Sequence, residues 1–181
     1  MGKKILILNG SPRMNGNTAA LVRSFTEGAG SVGHHVTCFE LQKMNIHTCL
    51  GCGRGGKDPA SPCVQKDDME RIYAAYREAE VVCLASPLYF WTISGQLKCA
   101  IDRLYAVAEC DGDLAHPAKE CVLLMAAEGH DYEETAFWYD HLMNYLGWTD
   151  KGKVLCGGVR EVGDIEGNEK LKAAYELGKS L

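Results

Sequence analysis

The side chains most able to hold a ligand lie in two polar loops, each directly behind a short apolar run. The first loop, residues 9–18, reads Asn-Gly-Ser-Pro-Arg-Met-Asn-Gly-Asn-Thr and follows Lys4-Ile5-Leu6-Ile7-Leu8. Small hydroxyl and amide side chains dominate it, and a helix is expected to begin near Thr18 with Asn15 or Asn17 as its cap. Unpaired backbone N–H groups and the positive end of that helix would then converge on one spot, which suits an anion. Arg13 adds a permanent charge with several donors, matched to a phosphate monoester, while Ser11 and Thr18 add hydroxyls. The Gly-Lys-Ser/Thr of a nucleoside-triphosphate loop and the Gly-x-Gly-x-x-Gly of a dinucleotide fold are both absent from this stretch. The plainer alternative is an ordinary capped turn from strand to helix.

The second loop runs Ser86-Pro87-Leu88-Tyr89-Phe90-Trp91-Thr92-Ile93-Ser94-Gly95 and places three consecutive aromatic residues behind an expected central strand. Flat rings beside free backbone amides suit an isoalloxazine, which needs an apolar face and hydrogen bonds along its edge. Pro87 would stiffen the turn. Ser94 would cap the next helix, whose positive end favours the charge that collects on a reduced flavin. With the phosphate loop, this points to flavin mononucleotide, FMN. An aromatic patch used for dimer contact is the competing reading. A third loop, residues 126–132, offers Glu128, Gly129 and His130; His130 is a candidate proton donor or carbonyl contact, against the plainer reading of an exposed loop histidine.

Nine cysteines form the remaining chemical inventory. Cys83, Cys121 and Cys156 fall in expected strands and Cys99 in an expected helix, where a thiol behaves as a small apolar side chain. Cys49, Cys52 and Cys63 cluster instead in a long irregular segment.

Five strand-and-helix repeats position these loops. Expected strands at residues 4–8, 35–39, 80–85, 121–125 and 152–159 alternate with helices at 19–28, from Asp67 or Asp68 onward, from Ser94 onward, around Trp138, Leu142 and Tyr145, and at 168–177. The first helix is expected to end at Gly28 and Gly30. Alternation of this kind implies a parallel sheet covered on both faces, and the doubly wound order 2-1-3-4-5 is the simplest fit. Ligands of such sheets sit outside the carboxyl ends of the strands where the strand order reverses, which singles out the three loops. The expected fold class is therefore α/β, a doubly wound five-stranded parallel sheet, with residues 1–181 forming one FMN-binding domain.

An apolar content of 46% supports a sizeable core, and a formal charge of −5 with no basic stripe argues against nucleic acid or an anionic membrane as partner. The five-residue apolar run at the start resembles neither a signal peptide nor a membrane span, so a cytoplasmic location is expected.

The strings GSPRMNGNT, SPLYFWTISGQLK and AIDRLY resemble the NAD(P)H-dependent FMN reductase and iron-sulfur flavoprotein branch of the flavodoxin-like superfamily. The resemblance implies non-covalent FMN, reduced by hydride from NADH or NADPH at flavin N5, with electrons passed to a quinone, free flavin, nitro compound or metal ion. It also implies a homodimer or homotetramer with the flavin near a subunit interface. Carried over by position, Ser11, Arg13, Asn15, Asn17 and Thr18 would surround the phosphate, and Pro87, Leu88, Tyr89, Phe90 and Trp91 would line the ring with Ser94 beside it. Glu128 and Gly129 join them on topology alone. No separate catalytic side chain is needed, because FMN carries the redox chemistry.

Iron-sulfur members of that branch hold a cubane cluster on four cysteines in the region of Cys49, Cys52 and Cys63, but Gly55 stands where the third ligand is expected. Four readings stay open: a loop without metal that packs on a neighbouring subunit, an iron-sulfur cluster, thiol redox chemistry at Cys49-x-x-Cys52, and zinc completed by His47. The first is the expectation adopted. Two rival functions also remain, an electron carrier without its own small substrate and a non-flavin module on the same sheet. A phosphorylatable receiver is disfavoured, because the third strand ends in Ala85-Ser86-Pro87 without the required aspartate.

Overall fold

The computed structural model describes residues 2–181 and contains one five-stranded parallel sheet in the order β2-β1-β3-β4-β5. Strand β1 (Lys4–Asn9) leads to α1 (Asn17–Ser31) and β2 (His35–Glu40); after a 3-10 turn (Leu41–Lys43) and a long loop come α2 (Met69–Glu78) and β3 (Val81–Pro87). The rest is α3 (Gly95–Arg103), a single turn α4 (Tyr105–Ala108), β4 (Glu120–Ala126), α5 (Glu133–Leu146), β5 (Thr149–Cys156) and α6 (Glu169–Lys179). The sheet order matches the one expected from the repeats.

Period-two alternation sends each strand's apolar side chains to both faces, as a doubly covered parallel sheet requires. Ile5, Ile7, Val81, Cys83, Val122 and Leu124 pack under α1 and α6, while Leu6, Leu8, Val82, Leu84, Leu123 and Met125 pack under α2, α3 and α5. Each cluster runs beneath the strands to the ends from which the loops leave. Burial pushes the Cys121 thiol up to about 12 and Cys83 well above its ordinary value, consistent with structural, unreactive cysteines.

Two local expectations need correction, and two burial patterns are added by the structure. Helix α1 does not stop at Gly28: a Cβ there would lie 1.9 Å from the Tyr175 carbonyl oxygen, and one at Gly178 would lie 2.2 Å from the Phe25 carbonyl oxygen. These glycines are helical because α1 and α6 touch backbone to backbone. Strand β5 begins at Thr149 and ends at Cys156, since exposed Thr149, Asp150 and Lys151 of this edge strand carry no apolar signal. On α5 the buried stripe is Thr135, Tyr139 and Met143, and Tyr145 is 72% exposed. On α3 the bulkiest buried side chain is Arg103, beside the fully buried Leu97 and Ala100.

Candidate functional site

A cleft of about 280 Å³ opens at the carboxyl ends of the strands. Ser11, Arg13, Asn17 and Thr18 line it from the loop after β1, Pro87, Leu88 and Tyr89 from the loop after β3, and Glu128 from the loop after β4. The first loop is built by its own polar groups. Asn9 Nδ2 donates to Glu40 Oε2 at 2.8 Å, Ser11 N donates to Asn9 Oδ1 at 3.1 Å, and Arg13 N donates to Ser11 Oγ at 3.2 Å.

Neither Asn15 nor Asn17 caps α1. Gly16 occupies the cap position with no side-chain hydrogen bond, and Asn17 is the first helical residue. Its Nδ2 is drawn instead to the Glu161 carbonyl at 2.9 Å, and its Oδ1 is left buried without a partner. The helix therefore presents its first N–H groups and its positive end uncovered by any protein cap. Asn15 is exposed and stands outside the cleft lining.

The second loop is a tight hairpin. Tyr89 N donates to Thr92 O at 2.9 Å and Thr92 N to Tyr89 O at 3.1 Å, with Phe90 and Trp91 between them at φ 47° and 59°. Two positive φ values in succession are the mark of a type I′ turn, normally filled by Asn-Gly; in bulky L residues they cost of order 1–2 kcal/mol each. The strain is held from the α5 side, where Trp91 Nε1 donates to Asp131 Oδ2 at 3.0 Å and Thr135 Oγ1 donates to the Trp91 carbonyl at 2.6 Å. Phe90 stands 93% exposed at the tip, so Phe90 and Trp91 flank the cleft rather than line it.

Ser94 is fully buried and faces inward. Its Oγ donates to the Gly10 carbonyl at 2.7 Å and accepts from Leu97 N at 3.3 Å, so it caps α3 as expected while bolting the first loop to the second. Gly129 and His130 are not brought to the cleft. His130 packs toward Gly157, where a Cβ would lie 2.4 Å from its Nδ1, and lines a separate hollow with Tyr132 and Asn168. His130, expected as a candidate proton donor or carbonyl contact, lines that hollow and not the cleft.

Arg160, which sequence reasoning missed, borders the same cleft behind β5. Its carbonyl accepts from Arg13 Nη1 at 2.7 Å and its guanidinium lies 3.3 Å from Glu128 Oε1, an exposed pair of small energetic weight. The available signal was topological: the mouth of the sheet collects the loop after β5 by the same rule that named the other three. A larger hollow of about 400 Å³ lies away from this mouth, between β1, β2 and α2.

Cys49, Cys52 and Cys63 share a second hollow of about 260 Å³, walled by Gly55, Arg103 and Glu109 among others. The loop that carries them is gathered by one guanidinium. Arg103 donates from Nη1 to Asp67 Oδ2 at 2.7 Å and the His47 carbonyl at 2.9 Å, and from Nη2 to Asp67 Oδ1 at 3.2 Å and the Gln65 carbonyl at 3.4 Å. Burial opposes charge on Asp67, but hydrogen bonds from Arg103 and from the His47 and Met69 N–H groups outweigh it and hold the carboxyl below its ordinary value. The Cys52 thiol is also lowered, by hydrogen bonds to the Arg54 backbone and side chain. All nine cysteines are free. Among the described residues no three His, Cys, Asp or Glu side chains stand close enough to grip a single metal ion, and His47 turns toward Asp67 at 3.8 Å, outside the hollow.

With this geometry established, three comparisons bear on the chain. The NADPH-dependent FMN reductase family matches residues 3–152. An iron-sulfur flavoprotein from Archaeoglobus fulgidus is 29% identical over 95% of this chain and 76% of its own length. A Bacillus subtilis protein named as an NAD(P)H-dependent FMN-containing oxidoreductase is 25% identical over 97% of each chain. The chain spans about half the length of several further curated relatives it matches. Among solved structures, the NAD(P)H:quinone oxidoreductase from Methanothermobacter marburgensis shares the fold with a TM-score of 0.73, at 19% identity over 99% of this chain and 97% of that one.

Proposed function

The chain belongs to the NADPH-dependent FMN reductase family, and from that premise we propose that the cleft at the mouth of its sheet holds FMN for electron transfer from NAD(P)H to a small acceptor. The observation that carries this reading is the convergence of Ser11, Arg13, Asn17 and Thr18 with Pro87, Leu88 and Tyr89 in one cleft at an uncapped helix N-terminus. The residues present fit the group. A phosphate dianion suits the open N–H groups of α1 and the Arg13 guanidinium, which the Arg160 carbonyl already holds in place. The orphaned Asn17 Oδ1 needs a donor, and a ribityl hydroxyl supplies one.

FMN, when bound, supplies the redox chemistry, and the protein supplies position and electrostatics. Pro87 and Leu88 form an apolar wall, and Tyr89 gives an aromatic flank at the open side, where Phe90 and Trp91 border the space left for a nicotinamide or an acceptor. The strained turn keeps those rings pointing outward from the sheet, since a relaxed turn would splay the hairpin. The N-terminus of α3, fixed by Ser94, adds a positive potential near the same mouth. Quinones, free flavins, nitro compounds and metal ions are the acceptor classes this open cleft admits. Residues 1–181 act as one unit, assembled as a homodimer or homotetramer through exposed aromatic surface such as Phe90 and Phe137. A reducing, cytoplasmic setting agrees with nine free thiols. No helix among the described residues is long and apolar enough to cross a membrane.

The visible spectrum of the purified protein titrated with FMN, then with NADPH without oxygen, tests the reading. The expected result is one FMN per chain and direct bleaching on adding NADPH. Bound FMN that NADPH does not bleach would favour an electron carrier instead, and a protein that takes up no FMN would overturn the assignment.

A further inference from the structure

At the end of the sheet opposite the mouth, a hollow of about 190 Å³ opens between α2, α3 and α5. Tyr76 reaches it from the last turn of α2, Tyr105 from α4, His116 from the segment ahead of β4, Leu142 and Tyr145 from α5, and Trp148 from the turn ahead of β5. The seven-residue strand β4 spans roughly 20 Å, so nothing bound at the mouth extends this far. The walls are aliphatic and aromatic, with two exceptions among the buried atoms. Tyr76 is 0% exposed and its Oη has no hydrogen-bond partner, and His116 Nδ1 is likewise buried and unpartnered. A polar atom enclosed in this way is costly to leave unsatisfied. Both groups are neutral near pH 7, because burial raises the Tyr76 hydroxyl above its ordinary value and lowers His116 below its own.

From this we propose that the hollow binds one neutral, single-ring aromatic molecule of the phenol class. Its volume fits, since an apolar cavity of about 150 Å³ already holds benzene. The walls fit a ring as well. Tyr76 and Trp148 lie 6.0 Å apart, and Tyr145 meets His116 edge-on at 6.3 Å, distances at which aromatic rings attract one another and a ring placed among them. A phenolic hydroxyl both accepts and donates, so it can serve either orphan, and a second ring hydroxyl can serve the other. Charged occupants fit less well. The exposed Asp102 carboxylate borders the hollow, where it repels an anion and is already paired with Lys98 at 2.6 Å. Lys119 Nζ stands 4.7 Å from the Tyr76 ring centroid, so a cation's place over that ring is taken. Tyr145, 72% exposed, is the side chain that turns aside to admit the ligand to the imidazole.

The full chain loaded with FMN is titrated by calorimetry with phenol, toluene and benzylammonium, and the indole N–H signals are followed by NMR. Phenol is expected to bind one site per chain with a dissociation constant on the order of 1 mM or below, at least fivefold tighter than toluene, and to shift the Trp148 signal but not that of Trp91. Tyr76→Phe removes one orphan and is expected to weaken phenol about tenfold, leave toluene unchanged, and unfold at the same temperature as the parent or higher. Leu142→Trp fills the hollow and is expected to abolish both, with FMN content as the check on folding. No saturable phenol binding, equal affinity for phenol and toluene, tighter binding of benzylammonium, or an unchanged phenol affinity in Tyr76→Phe overturns the proposal. Phenol binding that appears only when the chain is diluted to its monomer would assign the hollow to a second copy and overturn it too. Phenol bound as expected to a chain that takes up no FMN would leave this site standing and sink the flavin reading alone.

Discussion

The mouth of the sheet and the cysteine hollow are assembled by opposite means. At the mouth, strand ends packed between two apolar cores deliver short loops whose own backbone and small polar groups finish the geometry, as in the Asn9–Ser11–Arg13 chain of hydrogen bonds. At the hollow, a long irregular loop has almost no regular structure and depends on a few long side chains from α3 and α4 and the turn beyond them, chiefly Arg103 and Glu109. A backbone-built site tolerates loss of one side chain by weakening; a site hung on a buried ion pair fails when either partner is removed.

The largest effect should come from Asp67→Ala, which strands the Arg103 guanidinium at 1% exposure. Loss of about 3–5 kcal/mol is expected in urea unfolding, with amide exchange rising first in residues 44–66. FMN affinity measured under native conditions should stay near that of the parent; a parallel fall would show that the two regions are not separable. Arg13→Ala sharpens the contrast from the other side. Removing one charge-assisted contact should weaken FMN by about 2 kcal/mol, roughly thirtyfold, in a fluorescence titration, with amide-exchange protection of residues 44–66 unmoved.

Phe90→Asn should raise stability by about 1 kcal/mol, because asparagine adopts positive φ more readily and the 93% exposed ring loses no internal contact. A lower unfolding midpoint would mean that the ring is packed in solution, against a ligand or a second copy. The smallest effect is that of pH. Asp67 is held below the ordinary carboxylate value of about 3.9, so its contribution is complete above that value and is lost only as the pH falls through the lower folded value. Amide exchange across the cysteine loop, corrected for its intrinsic pH dependence, should therefore show constant protection from pH 7 to about pH 5, and loosening in that range would mean that another group holds the loop.

Much of the mouth was legible from residues alone, because strand, turn and helix start are local and their order follows the chain. Ser11, Arg13, Asn17, Thr18, Pro87, Leu88, Tyr89 and Glu128 all reached the cleft. Asn15, Ser94, Gly129 and His130 did not line it, since whether a loop side chain faces in or out is settled by long-range partners such as Gly10 for Ser94 and Gly157 for His130. The I′ turn at Phe90 and Trp91 was hidden because nothing in an aromatic pair announces positive φ.

What the amino-acid order determined by itself was the alternation of apolar runs and polar loops, and with it a doubly wound sheet whose mouth carries a polar helix-start loop beside an aromatic one. Hydrophobic period and helix-start chemistry are properties of neighbouring residues, so they survive without coordinates. Only the tertiary structure decided that Gly28 and Gly178 let α1 and α6 meet, that Arg160 joins the cleft, and that Glu109 comes to rest beside Gly55, 54 positions away in the chain. Those pairings arise from packing between distant elements, where the identity of one partner carries no local trace of the other.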